Sequence, residues 1–191
     1  MTGNIIDILT ETGALLQGHF LLTSGVHSDK YVQCAKVTQH PKECEEICGA
    51  MAASFIDKGV DVVVGPAVGG ILVSYEVAKS LGVRSIFAER ENGAFTLRRG
   101  FEIKKGERVL VVEDVTTTGG TTKEVIDMAR VYGGVVVGAT SIVDRSGGSI
   151  DLGVPFKPLV IMDFDTYSPD ECPLCSQGVP YIKPGSRQLP K

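Results

Sequence analysis

The sequence lacks a long apolar run, since no stretch approaches the roughly 20 apolar residues that a membrane-spanning helix needs. It also lacks the basic segment of a secretory signal peptide, because it begins with the acidic stretch MTGNIIDILTETG. No strong excess of one charge is present, since 19 basic and 23 acidic residues give a formal net charge of −4. We therefore expect a cytoplasmic protein with no membrane partner and no nucleic-acid partner.

Several motifs of nucleotide-binding and hydrolytic enzymes are missing too. The sequence contains no GxxxxGK[ST], which excludes a P-loop, and no GxGxxG after a strand, which leaves a dinucleotide site without support. Neither a nucleophile elbow nor an HExxH zinc motif occurs. Any phosphate site must therefore be built from other residues.

Cysteine occurs in an odd number, five, which predicts reduced thiols in a cytosolic protein. Cys44 and Cys48 lie four residues apart in a helical pattern and are predicted to be packed side chains. The CPLC stretch, Cys172 to Cys175, has the spacing of half a zinc site. No second CxxC follows it and no histidine lies beyond His40, so a turn held by ordinary packing is favoured over metal binding.

The centre of the chain repeats a pattern of strand, loop and helix. Its apolar runs, such as VDVVVGP and RVLVVED, do not alternate with polar residues, which is typical of strands buried on both faces. Helical patterns between these runs supply the crossovers of a parallel sheet. We predict an α/β fold with an open, mostly parallel sheet of four to five strands and helices on both faces.

The predicted organisation is a single domain over residues 1–191. An N-terminal helix and two hood strands occupy residues 1–40, the α/β core 59–145, and a C-terminal strand and tail 146–191. Apolar spacing ends the first helix near Gly13 and runs a second helix from Pro41 to Gly59. The strand predicted after the core is LVIMDF, and the last dozen residues are expected to be irregular.

Four predicted strands end in residue pairs that could face a ligand, and three of these pairs are charged. In an open α/β sheet, ligands bind at the carboxyl ends of the strands. We therefore expect these residue pairs to meet at one crevice: Gly65-Pro66, Glu89-Arg90, Glu113-Asp114 and Asp144-Arg145.

The loop TTTGGTT, residues 116–122, leads from the acidic pair into a helix. Backbone N–H groups at a helix N-terminus, with hydroxyls beside them, suit a phosphate dianion, and Gly119 and Gly120 let the backbone come close. The alternative is that Thr118 caps the helix and the glycines form a tight turn. Two carboxylates next to the loop favour a ligand that also offers hydroxyls or Mg²⁺, as a sugar phosphate does.

The stretch VLVVEDVTTTGGTT closely resembles the signature of the type I phosphoribosyltransferases, which bind 5-phosphoribosyl 1-diphosphate (PRPP). The resemblance implies that Glu113 and Asp114 bind the ribose hydroxyls. It also implies that the following residues bind the 5-phosphate end of PRPP: Val115, Thr116, Thr117, Thr118, Gly119, Gly120 and Thr121.

Along nearly its full length, the chain is similar to the orotate phosphoribosyltransferases within that family. GHFLLTSGVHSDKYVQC resembles the segment that covers the base, which implies that Ser24 and Gly25 bind orotate. VVVGPAVGGILV resembles the diphosphate-binding loop, which assigns Val68 and Gly69 to PRPP.

IVDRSGG resembles the strand-end arginine of these enzymes, so Arg145 is implied to contact orotate together with Thr117. A guanidinium pairs well with a carboxylate, and a carboxylate distinguishes orotate from uracil. The alternative is a surface arginine in a turn.

The resemblance implies transfer of phosphoribosyl from PRPP to orotate, giving orotidine 5′-phosphate and diphosphate in pyrimidine nucleotide biosynthesis. Mg²⁺ is the implied cofactor, carried by PRPP, with no direct protein ligand assigned. Asp114 and the cations Arg90, Arg98 and Arg99 are the implied catalytic residues. Such loops reach into a partner's site in this family, which implies a homodimer with shared active sites.

The sequence departs from the family pattern at three places. Thr23 stands where a lysine is common before Ser-Gly, and AVGG has no lysine in the diphosphate loop. The loop AERENGAFTLRRGFEIKKGE, expected to be a movable lid or a hairpin, has no histidine. Two alternatives follow: transfer to another base, such as a purine or xanthine, or a PRPP-sensing regulator that binds RNA. The acidic balance argues against the regulator.

Overall fold

The computed structural model describes residues 2–184, with side chains described from residue 5 onward. Its helices are α1 (Thr2–Glu11), α2 (Ala35–Thr38), α3 (Pro41–Ala53), α4 (Gly70–Leu81), α5 (Gly120–Val131) and α6 (Pro173–Ser176). Its strands are β1 (Leu15–Leu21), β2 (His27–Val32), β3 (Val62–Pro66), β4 (Arg84–Glu91), β5 (Ala94–Leu97), β6 (Arg108–Thr116), β7 (Val135–Asp144), β8 (Val160–Ile161) and β9 (Thr166–Tyr167).

The central sheet has the strand order β5-β4-β3-β6-β7-β8. All of its neighbours pair in parallel except β4 and β5, which form an antiparallel hairpin. The predicted α/β fold with a mostly parallel sheet is confirmed. The sheet has six strands rather than four to five, because the loop after β4 folds back as β5. Asn92 and Gly93 form that turn with φ angles of 51° and 87°, the conformation that favours Asn-Gly in hairpins.

Apolar side chains cover both faces of this sheet. Successive residues of a strand point to opposite faces, so Leu110 and Val112 pack on one side of β6 while Val109 and Val111 pack on the other. Helices α1, α3 and α4 supply apolar residues to the first side, and α5 supplies them to the second. This double burial explains why the strand sequences show no alternation.

The two predicted N-terminal helices are present, but the second is shorter than predicted. Helix α1 precedes Gly13, which has a φ of 68°. Helix α3 ends at Ala53, and a short 3₁₀ turn (Ile56–Lys58) separates it from Gly59. Of the predicted strand LVIMDF, only Val160–Ile161 pairs with the sheet.

A second, three-stranded sheet forms the hood, in the order β1-β2-β9. The predicted hairpin is β1 and β2, which run antiparallel with Gly25 at a φ of 88° between them. Strand β9 comes from the tail segment, so the hood is not N-terminal alone. The tail returns once more, where the Ile182 N–H donates to the His19 carbonyl at 2.9 Å. Of the dozen residues predicted to be irregular, 185–191 lie outside the described structure.

Within residues 2–184, no helix is both long enough and apolar enough to cross a membrane.

Candidate active site

The carboxyl ends of the parallel strands open into a cleft of about 650 Å³. Pro66 after β3, Arg90 near the end of β4 and the pair Glu113 and Asp114 on β6 line it together. A second cavity of about 490 Å³ lies beside it and is lined by Arg145, which follows β7. Because the two cavities share Asp114 and Val115 as lining residues, they adjoin at the acidic pair. The predicted crevice is therefore present in part, as two neighbouring cavities, because Gly65, Glu89 and Asp144 line neither of them.

The acidic pair differs in environment. Glu113 is 6% exposed, and burial raises its pKa well above the ordinary value, with the charge of Asp114 adding to the effect. The Asp114 N–H donates to Glu113 Oε1 at 3.2 Å, and the Val115 N–H donates to Asp114 Oδ1 at 2.8 Å. Backbone groups thus orient both carboxylates toward the cleft edge.

The loop between β3 and α4 lies directly against Asp114. A Cβ atom on Gly69 would stand 2.5 Å from Asp114 Oδ2, so glycine is required for this close approach. In this loop the Ala67-Val68 peptide bond is cis. The Val68 side chain is 83% exposed and lines the first cleft. This loop therefore offers backbone groups, rather than charged side chains, to a ligand.

A third, small cavity of about 50 Å³ sits at the N-terminus of α5. It is lined by Glu113 and the loop that follows: Val115, Thr116, Thr117, Thr118, Gly119, Gly120, Thr121 and Thr122. Gly119 occupies the cap position with a φ of 77°, and within the described residues no side chain caps the helix. The alternative in which Thr118 serves as the helix cap is therefore not supported. Uncapped N–H groups and hydroxyls can bind a phosphate here.

The hood covers the second cavity with Ser24 and Tyr31, and Thr117 lines it from the loop side. Arg145 is fixed by its N–H, which donates to the Thr116 carbonyl at 2.8 Å, and its guanidinium lies 4.9 Å from the Phe164 ring centre. Burial lowers the pKa of Arg145, and its Nε has no hydrogen-bond partner among the described residues. This half-buried group is not the exposed turn arginine of the alternative interpretation.

The three arginines in and directly after the β4–β5 hairpin are placed differently. Arg90 lines the first cleft, where it lies 4.2 Å from the Phe95 ring centre and 2.9 Å from Glu124 Oε2. Arg99 makes a bidentate pair with Glu89 at 2.8 and 3.0 Å, while Arg98 stands 3.7 Å from Glu91. Neither Arg98 nor Arg99 lines a described cavity of its own chain, so their catalytic role stays a prediction.

Sequence reasoning missed several lining residues of the hood. Gln33 lines both large cavities beside Tyr31, and its position two residues after Tyr31, just past the end of β2, was the signal that could have found it. Thr166 lines the second cavity from the tail and carried no local signal. Conversely, Gly25 forms the turn next to Ser24 and is not among the described lining residues.

Cavity geometry also indicates where a cation would bind. Carboxylate oxygens are the ligands that Mg²⁺ prefers, and Glu113 and Asp114 present them at the border of the first cleft and the phosphate-sized cavity. The donor set therefore fits a magnesium ion that arrives with a phosphorylated ligand.

Comparison with known proteins gives consistent results. The sequence model of the family described as "Phosphoribosyl transferase domain" matches residues 35–152. The orotate phosphoribosyltransferase of Desulforamulus reducens is 58% identical over 185 residues, covering 97% of both chains. That of Thermotoga maritima is 55% identical over 186 residues, covering 97% of this chain and 99% of the relative.

Solved structures share the fold at lower identity. The orotate phosphoribosyltransferase of Aeropyrum pernix superposes with a TM-score of 0.70 at 24% identity, covering 83% of this chain and 93% of that one. The Mycobacterium tuberculosis enzyme, in complex with inorganic phosphate, gives 0.68 at 24% identity, covering 84% and 95%. At this identity the likeness shows the fold alone.

Replacing Glu113 by Gln should stabilise the ligand-free protein increasingly as the pH rises. Because folding raises the pKa of Glu113, its protonated side chain stabilises the folded protein fully only below the pKa of an unfolded glutamate. This contribution to the free energy of unfolding is lost as the pH rises through the raised pKa. Gln has no proton to lose, so the stability gain of Glu113→Gln should be larger near pH 8 than near pH 4, by roughly 1–3 kcal/mol.

Urea unfolding of wild type and variant at both pH values measures this gain. Glu11→Gln is the matched control, because Glu11 is exposed and has no burial cost. An equal gain at both pH values would contradict a buried carboxylate.

Proposed function

The chain belongs to the orotate phosphoribosyltransferase family, and from that membership we propose that it transfers phosphoribosyl from PRPP to orotate, giving orotidine 5′-phosphate and diphosphate. The observation that carries this proposal is the position of Asp114 at the junction of the two large cavities. One compartment adjoins the phosphate-sized cavity, and the other contains a half-buried arginine. A sugar phosphate and an anionic base thus have separate, adjoining places.

In this proposal the PRPP site runs along β6 and the loops beside it. Glu113 and Asp114 accept hydrogen bonds from the ribose 2- and 3-hydroxyls, and residues 116–121 surround the 5-phosphate. The backbone of Val68 and Gly69 faces the diphosphate. The contact of Gly69 with Asp114 supports this order, because it brings the diphosphate loop next to the ribose-binding carboxylate.

Orotate occupies the second cavity. The Arg145 guanidinium pairs with the orotate carboxylate, which would satisfy the buried Nε that has no partner among the described residues. Thr117 and Ser24 contact the base from the loop and the hood, supported by their place in the cavity lining. The half-burial of Arg145 strengthens this pair, since partly desolvated charges interact more strongly than exposed ones.

The reaction requires little covalent chemistry from the protein. The bond between ribose C1 and the diphosphate oxygen breaks, and its electron pair leaves with diphosphate. A ring nitrogen of orotate forms the new bond to C1 on the opposite face and releases its proton to solvent, which its acidity allows without a strong general base. Asp114 holds the ribose through an oxocarbenium-like transition state, Arg90 neutralises the leaving diphosphate, and the hood excludes water.

Mg²⁺ belongs to the proposal as a cation carried by PRPP and held in place by Glu113 and Asp114. When bound, it would neutralise phosphate charge and orient the leaving group. The five cysteines, all unpaired, support a reducing, cytosolic setting for this reaction.

A homodimer with shared active sites accounts for the two other hairpin arginines. Arg98 and Arg99 are 51% and 62% exposed and lie outside the cavities described in their own chain. An exposed hairpin that carries cations can reach a neighbouring cleft, where the charge would stabilise diphosphate.

An absorbance assay with orotate, PRPP and Mg²⁺ tests the reaction directly, with adenine, hypoxanthine, xanthine and uracil in parallel. Loss of orotate absorbance that depends on PRPP and Mg²⁺ is the expected result. Turnover of another base alone would overturn the assignment of the second cavity to orotate. PRPP binding without turnover of any base would support the regulator instead.

Arg145→Ala should raise the KM for orotate about 10- to 100-fold, because it removes a charge-assisted hydrogen bond to the carboxylate. The KM for PRPP should stay within about threefold, since Arg145 lines the base compartment and not the first cleft. Arg130→Ala is the matched control, because its guanidinium donates to the Gly153 carbonyl at 3.1 Å on another part of the surface. Equal increases for both substrates would contradict the assignment.

Mixed dimers test the shared site. Asp114→Asn and the double change Arg98→Ala, Arg99→Ala should each be nearly inactive alone. Random mixing of the two subunits makes about half of the dimers hybrid, and one site in each hybrid holds unchanged residues from both chains. We expect about a quarter of wild-type activity to return, measured after co-expression. Absence of recovery would indicate that the hairpin acts on its own cleft.

A further inference from the structure

The two cysteines of CPLC lie next to two histidines from the other end of the chain. His19 on β1, His27 on β2, Cys172 and Cys175 each present one ligand atom, and these four atoms all lie within 4.8 Å of one another. Cys175 Sγ is 3.3 Å from His27 Nδ1, and Cys172 Sγ is 3.4 Å from His19 Nε2. Ordinary packing of a tail turn does not call for four convergent N and S atoms.

Hydrogen bonding prepares one of these histidines to bind a metal. His19 Nδ1 lies 2.7 Å from the Val179 carbonyl, so the proton must sit on Nδ1 for the ring to donate to it. That tautomer leaves the lone pair on Nε2, the atom that faces His27 and both sulfurs. A backbone carbonyl that fixes a ligating histidine in this way is a common feature of metal sites.

Burial also separates this cluster from a chance surface grouping. His19, His27 and Cys172 are each 3% exposed, and the Tyr181 ring packs against both imidazoles at centroid distances of 5.8 and 5.0 Å. Buried polar side chains need partners, and two imidazoles 2.7 Å apart in a largely enclosed place have few other options. A cation between them would bind one ligand atom from each of the four side chains.

We propose that His19, His27, Cys172 and Cys175 bind one structural Zn²⁺ ion that joins the hood to the C-terminal tail. Two thiolates and two imidazoles in a tetrahedral arrangement are the ligand set that selects zinc. All four positions are filled by protein, so the ion has no open position for catalysis. Binding releases the two thiol protons to solvent, and the two thiolates balance the charge of the cation.

The position of the site explains what the ion does. The tail meets the hood through the two-residue strand β9 and the pairing of Ile182 beside β1, which are short contacts. The zinc would link β1 and β2 to α6, and the same hairpin carries Ser24 and Tyr31 over the second cavity. The ion therefore holds the base-covering hood in place, independently of which base the enzyme uses.

Metal analysis of the full-length protein, purified without chelator, tests the site. We expect close to one zinc per chain, and less than about a tenth of that in Cys175→Ser or His19→Asn. His40→Asn and Cys44→Ala are matched controls that should keep the metal, because His40 is exposed and Cys44 packs elsewhere, in α3.

Two further measurements do not depend on the folding of any variant. Removal of the metal from wild type by chelation should lower the thermal midpoint by at least about 5 °C, and Zn²⁺ alone should restore it. Co²⁺ in its place should give the visible absorption of a tetrahedral cobalt–thiolate centre. Protein that contains no metal and takes up neither ion would overturn the proposal. A Cys172–Cys175 disulfide in freshly isolated protein, or iron in place of zinc, would also overturn it.

Discussion

The position of the site depends on the burial of strand β6 up to its acidic pair, Glu113 and Asp114. Strand β6 is enclosed by helices on both faces, and its apolar residues fix its register against β3 and β7. Glu113 comes next within the same strand and is only 6% exposed, so its carboxyl group is held in a place that disfavours its charge. Asp114, one residue further, reaches the junction of both large cavities. The packing of β6 therefore determines where the Glu113 and Asp114 side chains lie.

Close packing around Asp114 also fixes the positions of the neighbouring loops. The loop between β3 and α4 approaches so closely that Gly69 has no room for a side chain. On the other side, Gly119 adopts a left-handed conformation where a Cβ would stand 2.8 Å from Ile150 Cγ2. Both glycines thus serve backbone approach rather than flexibility. A ligand held between them meets main-chain donors in fixed places, which is the arrangement that electrostatic catalysis requires.

Local patterns in the sequence predicted the core and the acidic pair, because strand burial and helix N-termini are encoded by neighbouring residues. The segment around Asn92 and Gly93 was predicted to be a movable lid or a hairpin and β5 was not predicted as a strand, although these two residues match one hairpin turn type. Strand β9 was not predicted, since two paired residues leave no periodicity. The grouping of His19 with Cys172 was also not predicted, because the two residues lie far apart in the sequence and on opposite ends of the chain. Contacts over 153 residues depend on tertiary structure and not on local spacing.

The first cleft contains little positive charge, which is the reason that we propose a contribution from a second subunit. Glu113 and Asp114 line it, and Arg90 is the one basic residue among its described lining residues. Arg90 is itself 2.9 Å from Glu124 Oε2, so part of its charge is already neutralised. A ligand that carries a monophosphate and a diphosphate needs more positive charge than this cleft supplies, because like charges at short distance repel by several kcal/mol. In the proposed function, further positive charge would come from Mg²⁺ bound with the ligand and from Arg98 and Arg99 of a second subunit.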